Sequence, residues 1–461
     1  MPHKLLHPYS ETSLRLYPGK DSDGLIPAHP DLANFLLRAG LNPENPFSPW
    51  IQPGMKVLIK PNWVRHAAEN WAIQEALTTH TSLIRPTVEW ACRALQLPNG
   101  GFAGEVLLAD APLQSADFDL LLHQAGIHAL ATHWRTLGLP VRIADLRRIA
   151  ALTDEATGVV QQTKQLPGDP AGDTVVDLQS HSRLEEIATG KMGVSNYDFS
   201  FTSQHHAPGK HEYRIANSLL QSDVVINLPK WKTHVKTGVT GALKNFIGIN
   251  CDKAYLPHFR VGPPAKGGDE HPDSWLGESL TQLRPLLEAR LPAFVLRTLR
   301  EKLLRWQNNG AKSLVFGGAW PGNDTLWRTV HDMVFIARWL GSDGAKRSSP
   351  RPILTLLDAI VAGEGDGPLR PQPKQMNSLI FGLDPGLVDV TAAALSGFSW
   401  QSIPVLAHLL DQESPLATHA LRDLLLPSPC VALQPPTAWR EALTVPHRDN
   451  QNSEALAYEA A

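Results

Sequence analysis

The chain has 461 residues, 43% of them hydrophobic and 19% charged, so it can bury a sizeable core and is not globally disordered. A formal net charge of -3 argues against a general nucleic-acid or membrane-surface role. The cysteines Cys92, Cys251 and Cys430 form no CxxC pair, so no zinc knuckle, iron–sulfur cluster or disulfide framework is expected.

No secretory leader pattern and no long apolar run stands out, so the expectation is a cytoplasmic protein built from two or three units. Residues 1–54 are rich in Pro, Asn and Ser and read as an arm laid over a core. The first strand is predicted at Met55–Ile59, running out at Lys60-Pro61-Asn62. A helix follows, with Pro86 near its first turn and Val88, Ala91, Cys92 and Leu95 on one face. Glu105–Ala109 is the next strand, ending at Asp110. Residues 116–136 read as helical, and Val141–Ala144 as a strand ending at Asp145.

Residues 150–200 suggest loops or an edge hairpin, and Arg214–Gln221 a helix that feeds the strand Asp223–Leu228. Between 256 and 345 the pattern changes to Pro- and Gly-rich sequence with amphipathic helices near 276–306 and 325–340. That block reads as a helical insertion or cap between core parts at 55–255 and 346–440. The sheet resumes at Ile353–Leu357, ending at Asp358, and closes with Ser378–Leu383 and a helix over 386–396. The tail 441–461 is polar and alanine-rich, with little to order it. Short apolar strands alternating with longer helical patterns indicate an α/β fold: a mostly parallel sheet with flanking helices.

The most telling stretch runs from Asp223 to Asn245. A buried strand breaks at Pro229 and empties into a loop holding Lys230, Lys232, His234, Lys236 and Lys244, with Gly238 and Gly241 among them. Such a loop suits an anion, held by lysine charge and by backbone N–H groups at the start of the next helix. The plainer reading is a solvated basic loop. Yet the run leaves an apolar strand directly and is interleaved with Thr, His and Gly. Other strands also end in polar residues, at Lys60 and Asn62, Asp110, Asp145, Asn227, Asp358 and Asp384. In a parallel sheet those ends share one edge, where ligands bind. An Asp in that position also serves as an ordinary helix cap, but a Lys does not.

A second loop, Gly363-Glu364-Gly365-Asp366-Gly367-Pro368, alternates carboxylates with glycines. Glu364 and Asp366, with Asp358, form a candidate divalent-cation set such as Mg²⁺ prefers. The alternatives are a turn with solvated acids, or carboxylates paired with lysine. No P-loop and no dinucleotide fingerprint is present. His205, His206 and His211 match no zinc spacing and read as a surface cluster, and Thr79-His80-Thr81 carries less weight.

Together these motifs resemble a family known as domain of unknown function 362. The resemblance rests on Lys60-Pro61-Asn62, on Asn227 to Asn245, on Asp358 to Pro368 and on Asp384 to Asp389, within about residues 55–400. It implies one composite site but no reaction. Some members carry a ferredoxin-like cluster domain, for which this chain lacks the cysteines. The family is similar in overall α/β plan to nickel-pincer lactate racemases, and no motif here carries that cofactor over.

The expectation is therefore an enzyme acting on a small anionic molecule, carboxylate or phosphate, at the carboxyl edge of the sheet. His234, with Lys230 and Lys60, would be catalytic. Asn62, Asp110, Asn227, Lys232, Thr240, Lys244 and Asn245 would bind substrate. The reaction class stays open between proton transfer next to a carboxylate and metal-assisted transfer or hydrolysis. The alternative is a non-catalytic or accessory protein for an anionic metabolite or a protein partner.

Overall fold

The computed structural model describes residues 7–66, 71–153, 160–188, 191–194, 199–291, 317–410 and 424–443, with positions 295 and 298. The rest of the predicted helical stretch to 306, and the tail beyond 443, lie outside the described residues. A nine-stranded sheet organises the chain. Its strands are β1 (Tyr9–Glu11), β2 (Lys56–Pro61), β3 (Glu105–Asp110), β4 (Val141–Asp145), β5 (Val224–Leu228), β6 (Lys230–His234), β7 (Gly238–Thr240), β8 (Ile353–Glu364) and β9 (Gln372–Gly382). From edge to edge the order is β1-β9-β8-β5-β2-β3-β4, with β6 also on β8 and β7 on β6. β4, β3, β2, β5 and β8 run parallel, and β9 is antiparallel to β8.

The parallel strands are buried on both faces, which is why they read as unbroken apolar runs rather than alternations. Val57, Ile59, Val106, Leu108, Ile226 and Leu356 face one core, with the helix Thr81–Ala94 and the arm residues Phe35, Leu36 and Phe47. Leu58, Leu107, Val225 and Leu357 face the other, with the helices Leu326–Trp339 and Pro385–Leu395. The helix Leu326–Trp339, expected in an insertion, is thus part of the sheet's own core: Val330, Val334 and Ile336 are fully buried there. The arm wraps the core as its composition suggested, and β1 adds to the β9 edge.

The expected helix at Arg214–Gln221 is mostly strand. Lys210–Ala216 pairs with Asp173–Asp177, and only Asn217–Leu220 is helical. Buried His211, Tyr213 and Ile215 alternate with less buried Lys210, Glu212 and Arg214, a period of two that outweighs local helix preference. The irregular region does contain a hairpin, Ile149–Thr153 with Val160–Gln165. Among the described residues no helix is long and apolar enough to cross a membrane.

β8 carries the geometry of the site. Its first residues pair with β5 (Asn227 with Thr355) and its later ones with β6 (Lys230 with Asp358, Lys232 with Gly363). β5 and β6 are two halves of one path broken at Pro229, which lacks an N–H but accepts at its carbonyl from Asp358 N at 2.9 Å. The break carries the lysine-rich segment beyond the ends of β2 and β5.

Candidate anion site at the carboxyl edge

Three buried asparagines, Asn62, Asn227 and Asn245, tie the strand ends together. Asn245 Oδ1 accepts from Lys60 Nζ at 3.2 Å and from Asn62 Nδ2 at 3.0 Å. Asn245 Nδ2 donates to Asn227 Oδ1 at 2.8 Å and to Lys60 O at 3.2 Å. Asn227 Nδ2 donates in turn to Ala242 O at 3.0 Å. Asn62 Oδ1 receives Lys232 Nζ at 2.8 Å. Lys60 Nζ lies 2.7 Å from Asp110 Oδ1, both buried, and Asp110 Oδ2 also accepts from Trp63 N at 2.7 Å. The structure therefore brings Lys60, Asn62, Asp110, Asn227, Lys232 and Asn245 into one network. Most of its polar capacity is used internally. Lys60, expected to be catalytic, is paired with Asp110.

Lys230 belongs elsewhere. Lys60 is in step with Leu58, whereas Lys230 is out of step with Trp231, so the two lysines project toward opposite faces of the sheet. Lys230 Nζ lies 3.0 Å from Asp358 Oδ2, both fully buried, and donates to Tyr17 OH at 2.5 Å. Tyr17 OH donates to Asp358 Oδ1 at 2.6 Å, and His80 N donates to Asp358 Oδ2 at 3.0 Å. The Tyr17 and His80 rings stack with centroids 3.8 Å apart. This closed cluster pins the arm to the sheet and places Lys230, expected to be catalytic, against Asp358 and Tyr17. Nothing in the polar arm sequence marked Tyr17 as its partner.

Asp358, Glu364 and Asp366, the expected metal set, each have protein partners. Asp358 is committed to Lys230 and Tyr17. Glu364 Oε2 accepts from Gln434 N at 2.9 Å, while Asp366 accepts from Thr437 N at 2.7 Å and Thr437 Oγ1 at 3.0 Å. The acidic glycine loop thus anchors residues 434–437. Among the described residues no group of three or more His, Cys, Asp or Glu is placed to hold a metal ion. The glycines serve close packing. A Cβ on Gly363 would sit 2.7 Å from Lys232 Cβ, and one on Gly367 2.1 Å from Thr233 O.

The expected use of the helix start at 242 by a ligand is also corrected. Asp389 already occupies it, accepting from Ala242 N at 2.6 Å and Leu243 N at 2.9 Å. Gly241 is required beside it, since a Cβ there would lie 2.1 Å from Asp389 Oδ1. Burial pushes the Asp389 carboxyl up to about 7. His206 and His211 are buried rather than on the surface. His206 Nε2 faces Tyr255 O at 2.9 Å and His211 Nε2 faces Glu185 at 2.9 Å.

What is left is a concentration of cations. β6 and β7 pair with Lys232 opposite Thr240 and His234 opposite Gly238, so Lys232, His234 and Thr240 share one face of the hairpin. Lys244 joins them from the helix Ala242–Asn245, with Lys236, Lys253 and His258 nearby. Burial, then the charges of Lys236 and Lys253, push the half-buried Lys244 down to about 7. Burial pushes Lys236 down to about 8, opposed by Glu270 and Asp269, and Lys253 down to about 8, opposed by Asp110. Lys232 is held well below its usual range by burial, then by Lys244 and Lys230. His234 is held low by burial, then by Lys244 and Lys236. Lys253 and His258 were missed because they follow the motif in sequence without a recognisable spacing.

Three donors in this group have no acceptor among the described residues. Lys244 makes no hydrogen bond or ion pair there. The Thr240 hydroxyl is buried without a partner. His234 Nδ1 accepts from Lys236 N at 3.0 Å, so the neutral ring carries its proton on Nε2, and no described residue receives it.

Residues 168–394 match the family described as Domain of unknown function (DUF362). The match contains the motifs Asn227–Asn245, Asp358–Pro368 and Asp384–Asp389, and stops short of both Lys60-Pro61-Asn62 and residues 434–437. No curated protein and no solved structure matches the chain.

Proposed function

We propose that the chain is an enzyme that binds a small oxyanion, carboxylate or phosphate, among Lys232, His234, Thr240 and Lys244 and moves a proton there through His234. The observation that carries this reading is Lys244. It is a half-buried ammonium whose influential neighbours are other cations and which no described carboxylate answers. Cations are not gathered out of water without compensation, and an anion supplies it. The free Thr240 hydroxyl and His234 Nε2–H add donors of the kind an oxyanion accepts.

His234 suits the proton-transfer role because its surroundings change with occupancy. Burial and nearby cations hold its pKa well below the usual imidazole range. A bound anion offsets those cations and raises the pKa toward neutrality, where a general acid or base works best. Lys60 and Lys230 act as internal counter-charges that hold the strand ends in place.

The test is a thermal-shift titration with phosphate and with acetate on wild type and Lys244→Gln. A saturable rise in melting temperature for wild type, lost in Lys244→Gln, is expected from ligand linkage. An equal response in the variant would overturn the site. His234→Asn should keep the anion response, since the asparagine still offers a donor.

A further inference from the structure

Given the anion site proposed above, we infer that its ligand carries at least two negative charges on oxygen, as a phosphoryl group or a dicarboxylate does, and that it binds with uptake of protons. The groups facing the site from each packed element can be set against one another. β6 and its extension supply Lys232, His234 and Lys236, and the helix Ala242–Asn245 supplies Lys244. The segment after it supplies Lys253 and His258. β2 and β3 supply Lys60 and Asp110, which cancel each other at 2.7 Å. Asp269 and Glu270 act on Lys236. Asp269 is itself engaged by Arg260 N at 2.5 Å, Asp324 N at 2.9 Å and Thr325 Oγ1 at 2.6 Å.

Lys232, Lys244 and Lys253 then remain without a carboxylate of their own. Lys232 Nζ donates to Asn62 Oδ1 and Leu77 O, and Lys253 Nζ to Ile247 O and Asn250 O, the latter two at 3.3 Å. The carboxylate acting on Lys253 is Asp110, already bonded to Lys60. Lys232, Lys244, Lys253, His234 and His258 thus lie near one another, and the carboxylate acting on Lys232 and Lys253, Asp110, is already paired with Lys60. A monocarboxylate offsets one of these charges, whereas a dianion offsets two.

Proton uptake follows from the same crowding. Without an anion the crowded cations oppose one another's charge, and burial with Lys236 and Lys253 pushes Lys244 down to about 7. A dianion restores the charged forms, so binding draws protons from the buffer.

Isothermal titration calorimetry of the full chain at pH 7.5, in two buffers of different ionisation heat, tests this with sulfate, inorganic phosphate, malonate and acetate. Sulfate carries two charges at this pH. Sulfate and phosphate should bind roughly tenfold or more tighter than acetate, the worth of a second charge at short range in a partly screened site. The apparent heat should differ between buffers in the sense of proton uptake. Lys244→Gln should lose most of the preference for sulfate over acetate and part of the uptake. A preference for sulfate and phosphate over malonate identifies a phosphoryl ligand, and the reverse a dicarboxylate. Acetate binding as tightly as sulfate would overturn the dianion inference and leave the anion site standing. No binding of any of the four would overturn both.

Discussion

Lys230 and Lys232 lie two residues apart on β6, yet only Lys230 has a carboxylate, with Asp358 Oδ2 3.0 Å from its Nζ. Lys232 has an amide oxygen, Asn62 Oδ1, at 2.8 Å. The same side chain on the same strand is therefore a structural counter-ion at one position and part of a cation-rich site at the other.

The two lysines should respond differently to removal. Lys230→Met leaves Asp358 buried without its counter-charge and should cost about 3–5 kcal/mol, the usual penalty for breaking a buried pair. Lys232→Met removes a desolvated amine that neighbouring cations already oppose. It forfeits two hydrogen bonds, so it should stay within about 1.5 kcal/mol of wild type. Urea denaturation of both variants decides this, and similar costs would refute the division of roles.

Lys244 predicts a pH dependence. Its folded value of about 7 lies below the ordinary 10.5. Between those values the unfolded chain holds the proton and the folded chain does not, so this lysine's contribution to stability improves as pH rises across the window. The cost is full below about pH 7. Lys244→Gln should therefore stabilise the anion-free protein by on the order of 1 kcal/mol at pH 7 after allowing for solvent screening. The gain should fade toward pH 10. Melting temperatures of both proteins at several pH values check it, and a gain that grows with pH would contradict the placement of Lys244 among cations.

Gly248 offers a steric test of the network. A Cβ there would lie 2.0 Å from Asp110 Oδ1 and 2.6 Å from Lys60 Nζ. Gly248→Ala must push the ion pair apart or shift the segment Phe246–Ile249. The expected loss is about 3 kcal/mol, combining overpacking with a strained buried pair. Gly209→Ala, where a Cβ meets nothing within 4 Å but φ is +75°, supplies a control for backbone effects. A Gly248→Ala protein as stable as wild type would show that the pair is not confined there.

Much of the scaffold was legible because each strand is an apolar run closed by a polar residue, and burial on both faces of a parallel sheet demands that pattern. The lysine loop was legible for the same reason: cations directly after such a run cannot all be idle surface. The pairing of those cations was not. That Lys60 meets Asp110 depends on β2 lying beside β3, and that Lys230 meets Asp358 depends on Pro229 redirecting β6 along β8. Neither adjacency leaves a local mark. In the glycine loop only part of the glycine content serves φ freedom: Gly365 has a φ of +78°, whereas Gly363 and Gly367 are needed for close approach to β6. Period two at His211, Tyr213 and Ile215 is the sequence mark of the strand that takes the place of most of the helix expected at Arg214–Gln221.

The acidic glycine loop predicts how the C-terminal segment is held. Glu364 and Asp366 accept from the backbone of Gln434 and Thr437, and Gly365 N donates to Gln434 O at 2.8 Å. Trp439, fully buried, packs on Gly238 and donates from Nε1 to Val235 O at 2.8 Å. The segment 434–439 therefore clamps both the 363–367 loop and the turn that follows His234. Asp366 is exposed, so Asp366→Ala removes two bonds at the rim and should cost about 1 kcal/mol. Hydrogen exchange should show this as faster exchange at the Thr437 amide, with the amides of Val224–Leu228 unchanged, because the opening is local. Trp439→Ala removes the apolar anchor and should cost about 3–5 kcal/mol. It should also loosen the turn after His234, weakening phosphate binding along with the segment's protection. Unchanged protection at Thr437 in Asp366→Ala would mean that the carboxylate does not hold the segment, and its role would have to be sought at the anion site.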